Sequence, residues 1–323
     1  MNSDKAQEII RRAMADRSLY QTMAARECEV WGKILPDLER SEAGMEDAKA
    51  SAELRVTRHH SSLIQLAKEK GLNFKRGLTL GCGAGRLERG LMQAGICGSF
   101  HGIDISKQAV ATAQDIARKQ NLPLSYEVAD LNLVKLSENT FDLVVAQTSL
   151  HHILFLERMA EQVWQSLTSD GYFWIHDFIG ETQWQYDPKR LSIANDLLGI
   201  LPEKFRKNKI NHQLVTEIKR PQPGSKDLGS PFESIRSSEI VPIFQRWFAI
   251  EWKREFSAFL HLVAPPGTRA AYLENEDTRA LFEMLMILDK LCIDERILTP
   301  TGGQYLMRPR PIGDVPVTGS PGN

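Results

Sequence analysis

The spacing of hydrophobic positions changes along the chain, and the changes divide it. In residues 1–70, Ile9, Ile10, Met14, Leu19, Met23 and Ala24 recur at helical spacing. Trp31 to Leu38 continues an amphipathic pattern until Pro36, where an interruption is predicted. The segment SEAGMEDAKASAEL is polar and alanine-rich and suits a helix or an exposed loop. These residues predict a helical cap rather than an independent domain.

Beyond residue 70 short apolar runs alternate with helical patterns. Strands are predicted at Leu78 to Leu80, Phe100 to Ile105, Leu124 to Val128, Phe141 to Gln147 and Gly171 to Phe178. Helices are predicted between them, at Arg86 to Ala94, Lys107 to Gln120 and Leu156 to Leu167. Such alternation implies βαβ units, a parallel sheet and helices on both faces. After Gly180 it stops. A helix near Pro188 to Leu201 and the loop KRPQPGSKDLGSP are too long for a simple crossover, so residues 181–235 read as an inserted lid. Residues 236–310 return to the sheet: a helical stretch at 236–246, a strand from Phe248, an apolar helix from Thr278 to Leu291 and a last strand from Gly302. The tail, 311–323, is rich in Pro and Gly and reads as disordered.

Composition removes several function classes. Forty basic residues against 41 acidic ones give a formal charge of −1, which disfavours a dedicated nucleic-acid binder. Four cysteines show no paired metal spacing, and a reducing cytoplasm fits them. No secretory signal is expected from MNSDKAQEIIRRAMADRS, and no apolar run is long enough for a membrane span.

The chemistry concentrates in LTLGCGAGRL, residues 78–87. Gly81, Gly83 and Gly85 stand where a strand turns into a helix, so a ligand can approach the backbone and the helix N-terminus. A dinucleotide fingerprint needs a third glycine at position 86, where this chain has Arg86. Asp104 ends the next strand and is placed to accept hydrogen bonds from ribose hydroxyls. Asp130 ends the one after it, so three strand ends in succession carry ligand-binding features.

With LTLGCGAG, GIDIS, VADLN, FDLVVAQTSLHHI and GYFWIHD in order over residues 76–180, the chain resembles the class I S-adenosylmethionine-dependent methyltransferases. The resemblance implies a Rossmann-like, doubly wound seven-stranded α/β sheet, mostly parallel with its last strand antiparallel. It implies S-adenosyl-L-methionine as cofactor, held by Gly81, Cys82, Gly83, Gly85, Asp104, Ile105, Asp130, Leu131 and Gln147. The family usually has an acid two residues before the first glycine; this chain has Thr79, a neutral hydroxyl. From residue 181 onward the chain is more loosely similar to small-molecule methyltransferases of bacterial biosynthetic clusters.

Methyl transfer mainly requires orientation and exclusion of water. A hydroxyl acceptor also benefits from a base, and His151 and His152 follow the fourth strand where the methyl would point. Asp177 is the preferred alternative at the end of the fifth strand. Trp184, Tyr186 and Arg236 are candidates for holding the acceptor, with Tyr20 and Trp31 as covers for the cofactor. Lys204 to Arg220 is basic and suits either an anionic acceptor or a solvated surface. QTSLHHI contains no clustered carboxylates, so no metal is expected. The function anticipated is methylation of a small molecule, at oxygen first. Nitrogen in an amine or amino sugar is the alternative, or a silent cofactor-binding scaffold. No nucleic-acid or membrane partner is expected, and a homo-oligomer is compatible with this reading.

Overall fold

Seven strands form one sheet in the order β3-β2-β1-β4-β5-β7-β6. They are β1 (Gly77–Leu80), β2 (Phe100–Asp104), β3 (Leu124–Val128), β4 (Phe141–Gln147), β5 (Leu167–Phe178), β6 (Phe248–Phe256) and β7 (Gly302–Pro309). The computed structural model describes residues 2–40, 45–46, 49–51, 53–54 and 63–316. β1 to β5 pair in parallel, whereas β7, last in sequence, lies antiparallel between β5 and β6.

The continuous apolar run of β4 follows from burial on both faces. Val144 and Ala146 pack into one core with Leu80, Phe173 and Ile175, while Leu143 and Val145 pack into another with Leu91, Phe100 and Trp174. Each large aliphatic side chain buried this way contributes about 1.5–3 kcal/mol. The helices covering these faces include α3 (Leu63–Lys70), α4 (Arg86–Gln93), α5 (Lys107–Lys119) and α6 (Leu156–Ser166). Strand order reverses between β1 and β4, so a crevice opens at their C-terminal ends.

The cap consists of α1 (Asn2–Ala15) and α2 (Arg17–Arg40). α2 runs on through Pro36, giving up the one N–H bond that proline cannot make. Of SEAGMEDAKASAEL, positions 45–46, 49–51 and 53–54 are helical and the rest lies outside the described residues, as does 55–62. The tail expected to be disordered includes a short turn at Ile312–Asp314, and residues 317–323 lie outside the described residues.

The region after β5 has a partner that the sequence did not reveal. It carries α7 (Pro188–Ile200) and α8 (Glu203–Arg206), while a short α9 (Ile240–Phe244) leads into β6. The β6–β7 connection carries α10 (Leu260–Val263) and α11 (Glu276–Asp294), and α11 is started by a capping box between Asn275 and Thr278. Ala194, Leu201 and Phe205 from the first insertion share a core with Phe259, Tyr272 and Phe282 from the second. Fully buried Arg190 ties them: it pairs with Glu181 at 2.9 Å and donates to the carbonyls of Ala258 and Thr299. Residues 257–301 therefore pack with the insertion after β5 besides linking two strands.

Candidate functional site

A cavity of roughly 390 Å³ occupies the β1/β4 crevice. Its floor is the loop from β1 to α4. Gly81 has φ +72° and Gly85 φ +76°. A Cβ on Gly81 would fall 2.5 Å from the Ser149 Cβ, and one on Gly85 would strike the Tyr126 hydroxyl, so both positions require glycine. Gly83 donates its N–H to Asp104 Oδ2 at 2.8 Å, and Ser106 donates to Oδ1 at 2.8 Å. Burial raises the Asp104 carboxyl, and these two N–H groups oppose the rise. Each oxygen retains a lone pair for a further donor.

Asp130 is held similarly. Asn132 N donates to Oδ1 at 2.9 Å, and the Tyr20 hydroxyl from α2 donates to Oδ2. Tyr20 stacks on Phe232 with ring centroids 5.8 Å apart, so cap and lid meet over this edge of the cavity. Cys82, Ile105, Leu131 and Gln147 line the cavity with Thr79, Ser149 and Trp31. Burial pushes the Cys82 thiol far up, which leaves it an inert packing group. Among the described residues, the buried hydroxyls of Thr79 and Ser149 have no hydrogen-bond partner. A glycine cradle, an acid at the β2 end and two unpartnered hydroxyls fit a polar ligand with a ribose, as S-adenosylmethionine has.

Behind Thr79 lies Glu88 of α4, fully buried, and among the described residues neither of its carboxylate oxygens has a hydrogen-bond partner. Burial pushes its carboxyl up to about 7, against the opposing pull of its own backbone N–H. A second acid at position 79 would crowd two carboxylates together, which gives the departure from the family pattern a physical basis.

His151 and His152 sit in a short turn, Leu150–His152, after β4. His151 Nδ1 meets Asp177 Oδ1 at 2.5 Å. Asp177 also accepts the N–H groups of Ser149 and Leu150, at 3.0 and 2.7 Å. Burial disfavours charge on both partners, yet their attraction prevails, raising His151 and lowering Asp177. His152 Nδ1 lies 3.0 Å from Glu27 Oε1, off hydrogen-bond alignment. Glu27 also accepts from Trp31 Nε1, the Ser230 hydroxyl and Phe232 N. The two Nε2 atoms face Glu233, at 3.5 and 3.7 Å from its oxygens.

A second cavity of roughly 390 Å³ lies beyond β5, lined by Phe178, Arg254, Phe256, Leu260, His261 and Met286 among others. Thr148, with φ +53°, borders both cavities. His151 lines the first and its partner Asp177 the second, so this pair forms part of the partition. Arg254 is half-buried, and its desolvation lowers its pKa. Burial, with Arg190 and Arg269 nearby, pushes His261 down to about 3, so its imidazole is neutral.

The acceptor candidates fare differently. Arg236 lines neither cavity: its guanidinium is spent on Glu157 at 2.7 Å, Glu239 at 2.6 Å and the Leu154 carbonyl at 2.9 Å. It joins lid to core because two acids and a carbonyl already satisfy its donors. Trp184 borders neither cavity, and Tyr186 is buried behind His261, ring centroids 5.7 Å apart. In the basic segment, Lys204 pairs with Glu274 at 2.8 Å, Lys219 with Glu217 at 2.9 Å, and Arg220 donates to the Tyr186 carbonyl at 2.5 Å. Glu27, Glu88, Glu233 and Thr148 were not anticipated. A signal existed for Glu27, which shares a helical face with Tyr20 and Trp31, and for Glu88, three residues before buried Leu91.

Residues 78–175 match the family described as "Methyltransferase domain". Human mitochondrial arginine-hydroxylase NDUFAF5 is 35% identical over 113 residues, 35% of this chain and 31% of that protein. A ubiquinone biosynthesis O-methyltransferase of Coxiella burnetii is 28% identical over 88 residues, 27% of this chain and 37% of that protein. The solved structure of an S-adenosylmethionine-dependent methyltransferase from Mesorhizobium loti aligns with a TM-score of 0.42 at 18% identity, over 77% of this chain and 98% of that one. The chain spans about a third of the length of the curated relatives it matches. Residues 78–175 thus match a methyltransferase domain, in agreement with the resemblance read from the motifs of the same stretch.

Proposed function

We propose that this chain transfers a methyl group from S-adenosylmethionine to a small-molecule acceptor, at a hydroxyl oxygen. The carrying observation is the pair of cavities meeting at Thr148, at the C-terminal end of β4. In this reading the cofactor lies in the first cavity, on Gly81, Cys82, Gly83 and Gly85, with Asp104 and Ile105 at its ribose. Asp130 and Leu131 lie at its adenine and Gln147 beside it. When bound, it supplies a methyl group already activated by a sulfonium. The acceptor enters the second cavity, where half-buried Arg254 favours a molecule carrying an anionic group.

The chain's own work is to orient, to exclude water and to take a proton. Orientation comes from rigid walls: Asp104 and Asp130 each hold backbone N–H groups. Exclusion comes from Tyr20, Trp31 and Phe232, which close cap and lid over the first cavity. Proton removal falls to the group formed by His151, His152, Asp177 and Glu233. Such a group matters for a hydroxyl and much less for an amine, and one relative is named an O-methyltransferase. Leu260→Trp, which fills only the second cavity, tests the reading. With labelled cofactor and a metabolite extract, methyl incorporation is expected to fall more than about tenfold. Affinity for S-adenosylhomocysteine should stay within about twofold. Unchanged incorporation would place the acceptor elsewhere.

A further inference from the structure

We propose that His151, His152 and Glu233 form a binding site for one divalent transition-metal ion. One ligand atom from each lies within 4.8 Å of the others. A metal–nitrogen or metal–oxygen bond of about 2.1 Å sets neighbouring ligands about 3.0 Å apart in an octahedron and about 3.4 Å in a tetrahedron. His151 Nε2 lies 3.5 Å from Glu233 Oε1 and His152 Nε2 lies 3.7 Å from Oε2, each near the tetrahedral spacing, so the carboxylate reaches both rings.

The groups behind the imidazoles supply the independent argument. Ring nitrogens that bind metals almost always have the opposite nitrogen anchored to a carboxylate or carbonyl, which fixes the ring and its basicity. Here His151 has that anchor in Asp177, and behind His152 the Glu27 carboxylate lies 3.0 Å from Nδ1, close enough to become the second anchor with a small rotation of the ring. Both carboxylates are themselves fixed by backbone N–H groups. The free Nε2 edges then converge on a third carboxylate. The cluster places three carboxylates beside two imidazoles, with Asp177 fully buried, Glu27 nearly so and Glu233 partly exposed. Buried carboxylates in such excess call for a cation.

The donor set selects the kind of ion. Two imidazoles and one carboxylate suit zinc, iron(II), cobalt or nickel over magnesium or calcium, which prefer oxygen alone. Three protein ligands leave positions open, and both imidazoles line the first cavity. Glu233 arrives from the lid, 81 residues after His152, so the absence of carboxylates in QTSLHHI says nothing against the site. The ion's role deepens the methyl-transfer reading and rests on it: with both imidazoles and Glu233 as ligands, the ion would take over from a free base by lowering the pKa of a bound hydroxyl, whose proton then leaves to water. Binding itself does not depend on that reading.

The test uses the full chain, stripped with a chelator and dialysed against cobalt(II) or zinc(II). One equivalent per chain is expected by elemental analysis, with cobalt d–d absorption showing nitrogen and oxygen ligation. Glu233→Gln, which keeps shape, and His152→Ala should each weaken binding by at least tenfold, and Glu27→Gln by about tenfold. Circular dichroism confirms that each variant is folded. Absence of stoichiometric binding by the folded wild type, or binding unchanged in Glu233→Gln, would overturn the proposal. S-adenosylhomocysteine binding to the metal-free chain is measured in parallel. If it is retained while metal binding fails, the metal site alone is refuted.

Discussion

Glu88 offers a quantitative test of how the cofactor loop is built. Its carboxyl is fully buried, has no hydrogen-bond partner among the described residues and is pushed up to about 7, against about 4.3 in an unfolded chain. Between these values the folded protein holds a proton that the unfolded chain has released. The contribution is therefore complete below about pH 4.3 and is lost as pH rises toward 7, the reverse of an ordinary ion-paired acid. The gap between these two values corresponds to about 3.5 kcal/mol when fully developed. Glu88→Gln replaces the group with a neutral one of the same shape and abolishes this dependence. Urea unfolding of both proteins from pH 4.5 to 8 isolates the effect, because every other titrating group is common to the two. The variant should gain stability relative to wild type as pH rises, by about 3 kcal/mol across the range. Parallel curves, within about 0.5 kcal/mol at every pH, would refute the burial argument.

Three other outcomes are expected. Asp104→Asn keeps one of two acceptors for Gly83 and Ser106, so stability should drop by about 1–3 kcal/mol and S-adenosylhomocysteine affinity by roughly 10- to 150-fold; an unchanged dissociation constant would make Asp104 a loop anchor only. Arg190→Met strands Glu181 and the carbonyls of Ala258 and Thr299, and chemical denaturation should show a loss of about 3–5 kcal/mol. The irregular stretch 207–229 leads into Ser230 and Phe232, which are bonded to Glu27 at the first cavity, so S-adenosylhomocysteine should slow its limited proteolysis; equal cleavage rates would separate lid from cofactor.

The sheet was legible because its signals are local. Strand bounds at Leu124–Val128, Phe141–Gln147 and Gly302–Pro309 coincide with those read from periodicity. β5 starts at Leu167, four residues early, because the pattern there breaks at Ser169 and Asp170 while the backbone still pairs with β4. The glycine loop and Asp104 were legible because the turn and the strand end dictate residue type. The histidine cluster was legible only in half: His151 and His152 follow β4 directly, but Glu27 and Glu233 come from the cap and the lid. No periodicity links residues so far apart. Arg236 misled because a buried guanidinium satisfied by two acids looks, in sequence, like one awaiting a ligand. The union of the two insertions was invisible for the same reason, since tertiary packing of Phe205 against Tyr272 has no local signature.

The central claim is that the β1/β4 crevice is a site for S-adenosylmethionine. Isothermal titration of the purified chain with S-adenosylmethionine, its demethylated product and NAD tests it most directly. One site of micromolar affinity is expected for the first two and none for NAD, since Arg86 stands where a dinucleotide loop needs glycine. Binding of NAD as tight as that of S-adenosylmethionine, or no binding of either sulfur compound by the folded chain, would contradict it.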